Sequence, residues 1–317
     1  KLFPKNTLLT RAQIAKLEPA IVKGRNDSTP LAAIHSPDGY IMDYYALSKS
    51  FVKRTQTKNT EIKMNAEVHS ITRGGKGYTV ETSKGKFTGK VLVCDAGAMS
   101  IHFAKTVGFG NHLAVMSLGG NFYRGPEVLN GKVYTMQHPA RPNAAVHGDP
   151  DVRGRGYTRF GPTTNILFQL ERRNSATIIP YFKTINWTPR GLWYVLKTGL
   201  DPVYGLYVLK NMLYDLPFIG KRLLIKDIQK IVPSLQARQI TKEIGYGAAR
   251  PQIIDTKTGK VNLGEARIEG PNAIFNVTPS PGASTCLANA IKDAHQVTGW
   301  LNESFNEKKL LKAIAKK

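Results

Sequence analysis

The sequence predicts an α/β fold with a strand-rich middle. Three observations carry that expectation. Lys90-Val91-Leu92-Val93-Cys94 is a continuous apolar run of the kind a parallel sheet buries on both faces. Ala273-Ile274-Phe275-Asn276-Val277 is a second apolar strand, and a Pro/Gly turn carries it into a helix from about Ser284 to Phe305. Between them, residues 111–180 break into short strand-like runs, which points to a large, mostly antiparallel sheet in the same chain.

From the N-terminus, Thr10 precedes Arg11-Ala12-Gln13-Ile14, with Gln three positions on. That is a capping-box helix start, with Ile14 and Leu17 on one face. Ser36-Pro37-Asp38-Gly39-Tyr40 reads as a turn, and Asp43 opens a second helix through about Lys53. Strands are expected at Glu61–Met64, at Val68–Ile71 and at Tyr78–Thr82, with turns at Gly74-Gly75-Lys76-Gly77 and Ser83-Lys84-Gly85. In the middle region the clearest strand runs are Leu113–Met116, Lys132–Met136 and Ala144–Val146. Residues 186–230 become helical and amphipathic, with Trp187, Trp193, Tyr207 and Tyr214 set among lysines.

The 317 residues suffice for one large domain or two ordinary ones. Hydrophobic residues at 41% and charged residues at 21% exclude a disordered acidic chain, a collagen and a low-complexity sequence. Two cysteines exclude a disulfide scaffold and a cysteine-based zinc module, and no metal site is expected. Cys94 and Cys286 read as small buried residues rather than a redox pair. No stretch of 18 uncharged apolar residues is present, so no spanning helix is expected.

The charge is unusual: 45 Lys and Arg minus 22 Asp and Glu gives +23, with a pI near 10.0. Residues 152–250 hold 16 basic and 5 acidic side chains, so the excess has one dense region. An anionic membrane, nucleic acid, an anionic substrate and a merely basic surface all fit such a charge. No RGG array, RNA-binding aromatic motif or zinc finger accompanies it. Basic composition also suits the mitochondrial matrix. No charged leader followed by an apolar stretch is present.

Four segments carry chemistry beyond what an ordinary surface needs. Thr278-Pro279-Ser280-Pro281-Gly282-Ala283 joins an apolar strand to a helix, whose first N–H groups can meet negative charge. His147-Gly148-Asp149-Pro150-Asp151 and Thr158-Arg159-Phe160-Gly161 put a proton acceptor and a carboxylate clamp beside a Gly/Pro-rich loop. Gly247-Ala248-Ala249-Arg250-Pro251 can present an arginine fork. Val91–Cys94 followed by Asp95-Ala96-Gly97-Ala98 is a strand ending in small residues, where doubly wound proteins hold dinucleotides. Each taken alone is equally an ordinary turn, a solvated arginine, a satisfied loop histidine or a plain core strand.

Together these segments resemble the FAD-dependent malate:quinone oxidoreductase family. The matching stretches are Ser36–Tyr40, Val133–Gln137, Val146–Asp151, Thr158–Thr163, Ala249–Gln252 and Thr278–Ala283. They occur in family order from near residue 8 to near residue 295. The resemblance is closer to the subgroup of some epsilon-type bacteria and of the mitochondria of certain protists. It implies oxidation of (S)-malate to oxaloacetate, with electrons passed through FAD to a membrane quinone. It also implies a D-amino-acid-oxidase-like architecture. A discontinuous, Rossmann-like FAD-binding domain is expected from 36–110 and 251–317, and a substrate domain with the large sheet from 1–35 and 111–250. The FAD-facing residues implied are Val68, Asp95, Gly97, Thr278, Ser280, Gly282 and Ala283. Malate carries two carboxylates, so Arg159 and Arg250 are the expected clamps. His147 is the expected base for the hydroxyl proton, with Asp149 as a possible orienting group. The Trp-, Tyr- and Lys-rich 186–226 segment suits an anionic lipid surface, and suits helices packed inside the substrate domain equally well. The matrix face of the inner mitochondrial membrane is the expected location, with the cytoplasmic face of a bacterial membrane as the alternative.

Two features depart from the family pattern. The family's first strand, G-x-G-x-x-G turn and helix, which hold the FAD pyrophosphate, have no counterpart here. The expectation is that an N-terminal remainder or a second chain supplies this βαβ unit, or that the protein has lost it and binds FAD weakly. The link Arg153-Gly154-Arg155-Gly156-Tyr157 is longer and more basic than the resemblance implies. These departures keep open a non-catalytic structural subunit of a mitochondrial assembly, a ribosome or respiratory complex, whose basic surface meets RNA or lipid. A flavin-dependent dehydrogenase of another 2-hydroxyacid, such as L-2-hydroxyglutarate, is a third reading.

Overall fold

A computed structural model describes residues 4–136, 146–245, 247–262, 266–277 and 282–315. The chain divides into two compact units. The first takes in 1–57, 119–166 and 198–248, and the second 58–118, 167–197 and 249–317.

The first unit is built on a five-stranded antiparallel sheet. Its strands run, edge to edge, Thr241–Glu243, Phe122–Pro126, Tyr157–Gly161, His147–Pro150 and Val133–Tyr134. Side chains alternate between the two faces. One face carries Phe160 and Tyr123 into a core with Leu129, Ile14 and the buried side of helix Gly220–Ile228. Gly148 lies on that face. A Cβ there would sit 2.4 Å from Leu129 Cδ1 and 3.0 Å from Phe160 Cε1, so any larger residue would have to displace the buried Leu129 side chain. Helix Arg11–Leu17 begins at the expected capping box, where the Thr10 N–H donates to Gln13 Oε1 at 2.8 Å. Helix Tyr44–Thr55 is capped by Asp43, which accepts from the N–H groups of Tyr45 and Ala46.

Among its described residues the second unit holds three small sheets. Val68–Gly74, Gly77–Thr82 and Gly85–Gly89 form an antiparallel meander. The expected glycine turn sits in it, with Gly77 at φ +137°, where an added Cβ would collide with the Gly89 carbonyl oxygen. Leu113–Gly119 pairs antiparallel with Arg250–Asp255, and Val261–Asn262 extends that sheet. Arg267–Gly270, Ala273–Asn276 and Leu92–Cys94 form the third sheet, in which the last two strands run parallel. Ile101, Phe103, Val115, Ile253 and Phe275 belong to the core of this unit.

Several expectations are corrected. The run from Lys90 gives a strand of only 3 residues, and Val93 is 42% exposed. This strand is parallel as expected, but it lies at a sheet edge with one neighbour among the described residues, and of its two faces the one that carries Cys94 is buried while the one that carries Val93 is exposed. Glu61–Met64 forms no strand. The run at Lys132–Met136 pairs only over Val133–Tyr134. Gln137, Ala144 and Ala145 lie outside the described residues. The helix expected from Ser284 runs Gly282–Leu301, and Asn302 at φ +55° ends it before Phe305. Cys94 is buried as expected, whereas Cys286 is half-buried.

Candidate active site

The face of the five-stranded sheet opposite the Phe160 core carries a row of buried polar side chains. His147 stands across from Tyr134 on one side and Gly161 on the other. Two residues along, Asp149 stands across from Arg159, and Arg159 across from Arg124. His147, Asp149 and Arg159 are all buried, at 5%, 2% and 7% exposure. Charges this deep persist only when paired. Arg159 Nη2 donates to Asp149 Oδ2. His147 Nε2 lies 3.9 Å from Asp149 Oδ1, close enough for an imidazolium to feel the carboxylate but too far for a hydrogen bond. The Tyr134 ring lies 4.7 Å from the imidazole, and Phe122 meets it edge-on at 6.1 Å. The Arg159 guanidinium lies 5.9 Å from the same Phe122 ring. The imidazole is thus walled by aromatics, with one carboxylate within reach. Such a group can take a proton and hold the resulting cation near a fixed negative charge.

The next row explains the basic link. Asp151 accepts from the Arg155 backbone N–H, Nε and Nη2 at 3.0, 2.9 and 2.8 Å. The hydrogen bonds from Arg155 hold the Asp151 carboxyl well below the usual carboxylate range. Gly154 and Gly156 take positive φ to fold the link back. Arg153 Nε donates to Asp43 Oδ2 at 3.0 Å. Tyr157 donates to Glu243 Oε1 at 2.9 Å, and burial pushes its hydroxyl up to about 12.

The second unit holds Val68, Asp95, Gly97, Gly282 and Ala283. Val68 opens its strand. Asp95 follows Leu92–Cys94, and its Oδ1 accepts from Asn276 Nδ2 at 2.7 Å. Asn276 also donates to Asp293 Oδ2 at 2.6 Å, and Asp293 Oδ1 accepts from Arg267 Nε at 3.0 Å. Helix Gly282–Leu301 is thereby tied to two strands and to the Asp95 turn. Gly97 has φ +57° in that turn, which Ser100 closes: Ala96 N–H donates to Ser100 Oγ at 2.9 Å, and Ser100 Oγ donates to the Cys94 carbonyl at 3.1 Å. Gly282 and Ala283 open the helix, while Thr278 and Ser280 lie outside the described residues. Two parallel strands thus end side by side, one in a small-residue turn with a left-handed glycine, the other leading to a helix N-terminus. That arrangement fits the phosphates and flavin of a dinucleotide.

Arg250 heads its strand in the second unit and is half-buried, whereas Arg159 belongs to the first unit. Tyr134, Phe122, Ser100, Asn276, Asp293 and Arg267 were not singled out by sequence reasoning. Asp293 is the one with a sequence signal, as an acid on the helix that follows the Pro/Gly loop. Among the described residues, no group of three His, Cys, Asp or Glu side chains could hold a metal ion.

The malate:quinone oxidoreductase family profile matches residues 3–314. A probable malate:quinone oxidoreductase of Campylobacter jejuni is 36% identical over 322 residues, covering 98% of this chain and 72% of that protein. A malate:quinone oxidoreductase of Helicobacter pylori is 34% identical, covering 96% and 70%. Among solved structures, the L-alpha-glycerophosphate oxidase of Mycoplasma pneumoniae with FAD bound superposes with a TM-score of 0.60 at 17% identity, covering 94% of this chain and 65% of its own. A glycine oxidase of Bacillus cereus superposes at 0.57 and 14% identity, covering 97% and 68%. At these identities the structural likeness establishes the fold, a two-domain, mixed α/β arrangement with mostly antiparallel sheets.

Proposed function

The chain belongs to the malate:quinone oxidoreductase family, and from that premise we propose how its own residues carry the FAD-dependent oxidation of malate with a quinone as acceptor. The observation that carries the proposal is the buried row His147–Asp149–Arg159 on one sheet face. His147 takes the proton of the malate hydroxyl at an imidazole nitrogen. Asp149 holds the imidazolium that results and fixes the Arg159 guanidinium. Arg159 and Arg250 supply the positive charge that the two substrate carboxylates require. When bound, FAD supplies the acceptor for the hydride leaving the hydroxyl carbon and the route of electrons to the quinone. In this reading Val68, Asp95, Gly97, Gly282 and Ala283 hold it, together with Thr278 and Ser280 of the sequence that precedes the helix. In this reading the flavin domain is built from 36–110 and 251–317, and the substrate domain from 1–35 and 111–250.

His147→Gln tests the base. Malate turnover with a water-soluble dye as acceptor is expected to fall about 100-fold, the low end of general-base effects. The flavin absorbance of the purified protein is expected to stay. An unchanged turnover at every pH would put the base elsewhere.

No described helix is long and apolar enough to cross a membrane. We infer that the quinone acceptor is met from the bilayer surface, as a peripheral enzyme meets it. The Campylobacter and Helicobacter relatives support the cytoplasmic face of a bacterial membrane. They lend no support to the mitochondrial location, and the family match leaves the structural-subunit reading without support.

A further inference from the structure

Helix Pro202–Leu213 is apolar on two sides. One side is buried through Val208 and Asn211, continued by Tyr214. The other exposes Leu206, Leu209 and Leu213, at i, i+3 and i+7, with Met212 beside them. Leu206 is 66% exposed. A helix of a water-soluble surface keeps its outer side polar, so an outer leucine stripe marks a surface that something covers. The turn after the helix continues it with Leu216, Phe218 and Ile219. Phe218 is 88% exposed and has φ +63°, a left-handed conformation rare for a bulky residue. The backbone holds a phenylalanine ring out into solvent at a conformational cost.

The flanks of this stripe are basic. Helix Gly220–Ile228 buries Leu224, Ile225 and Ile228 and exposes Lys221, Arg222 and Lys226. Residues 186–226 carry six basic side chains against two acidic ones, and one of those two, Asp215, lies 3.1 Å from Lys242. A cleft of about 360 Å³ lies at the foot of the turn, lined by Lys221, Lys242 and Asp215 together with Leu216, Pro217 and Phe218. Protein interfaces are depleted in lysine, whereas an apolar wedge ringed by Lys and Arg matches acyl chains below and anionic headgroups above.

We propose that the Leu206–Arg222 segment is the surface that seats this protein on an anionic lipid bilayer. The leucines and Phe218 enter the acyl boundary, and Lys221 and Arg222 meet the headgroups. The proposal rests on the quinone-reducing reading for its purpose, but not for its physical test.

The test is flotation of the flavin-loaded protein with vesicles of phosphatidylcholine and phosphatidylglycerol, against phosphatidylcholine alone, at low and high salt. The wild type is expected to float with the anionic vesicles and to release in high salt. Phe218→Asp and Leu209→Asp are expected to lower the bound fraction at least about tenfold. Lys221→Glu with Arg222→Glu is expected to weaken binding by about fivefold per charge removed. All are expected to keep the wild-type melting temperature and the malate-driven reduction of a water-soluble dye. Wild-type flotation by the variants would overturn the proposal. So would a melting temperature lowered by Leu209→Asp, or a smaller mass by light scattering, since either means that protein covers the stripe. Loss of dye reduction in the wild type, with the flotation pattern intact, would sink the enzymatic reading and leave the docking surface standing.

Discussion

Asp149 lies between two cations of different kinds: a permanent one in Arg159 and a conditional one in His147. Both partners of the Arg159–Asp149 pair are over nine-tenths buried, so removing the carboxylate strands a charge in low dielectric. Asp149→Asn keeps the shape and removes the charge. Its expected cost is about 3 kcal/mol of folding stability, read from the urea midpoint. A loss under about 1 kcal/mol would mean that Arg159 finds its compensation elsewhere. The sequence singles out His147 as a proton acceptor, Arg159 as a carboxylate clamp and Asp149 as an orienting group for the histidine, and the structure sets all three on paired strands. Sequence reasoning did not find Tyr134 or Phe122 beside the imidazole. Those contacts come from strand register, and a register shift of one residue would move every side chain to the opposite face.

Helix Met99–Thr106 shows how an element carries its own pH dependence. Its buried side chains include Ile101, Phe103 and Ala104. Lys105 Nζ donates to the Thr184 carbonyl at 2.8 Å, and burial pulls its ammonium down to about 8. Below pH 8 both folded and unfolded chains carry the charge, and the burial penalty is constant. Between pH 8 and the ordinary value of 10.5 the unfolded chain binds more protons, so the folded state gains stability as pH rises. The melting temperature of the wild type relative to Lys105→Met is therefore expected to rise across that window. A gap that does not change from pH 7 to 10 would mean that the lysine titrates normally. Among the elements, the capping box at Thr10, the Asp43 cap and the glycine hairpin at Gly77 were readable because each is decided within a few residues. The strand expected at Glu61–Met64 was not formed. Nor was the two-sided burial of Lys90–Cys94, because a short apolar run is satisfied by any covering surface, and only the folded chain decides how many it has.

At the scale of the whole molecule, the described residues form two cores, one around Phe160 and Ile228 and one around Phe275 and Ile253. No residue is shared between them, so small cavities in the two are expected to act independently. Ile228→Val and Ile253→Val are each expected to cost about 1 kcal/mol. The double variant is expected to lose their sum to within about 0.5 kcal/mol, measured by urea unfolding. A larger deviation would mean that the cores are energetically one. At this scale the residues alone decided the local devices, the charge of +23, the family likeness and the types of side chain at the site. These depend on near neighbours or on composition, and both can be read along the chain. The folded structure alone decided which distant groups meet. Arg153 reaches Asp43 across 110 positions, Asn276 joins Asp95 to Asp293, and the apolar outer side of Pro202–Leu213 stays uncovered. Such pairings are set by strand register and by packing between segments remote in sequence, for which no single stretch of residues carries the information.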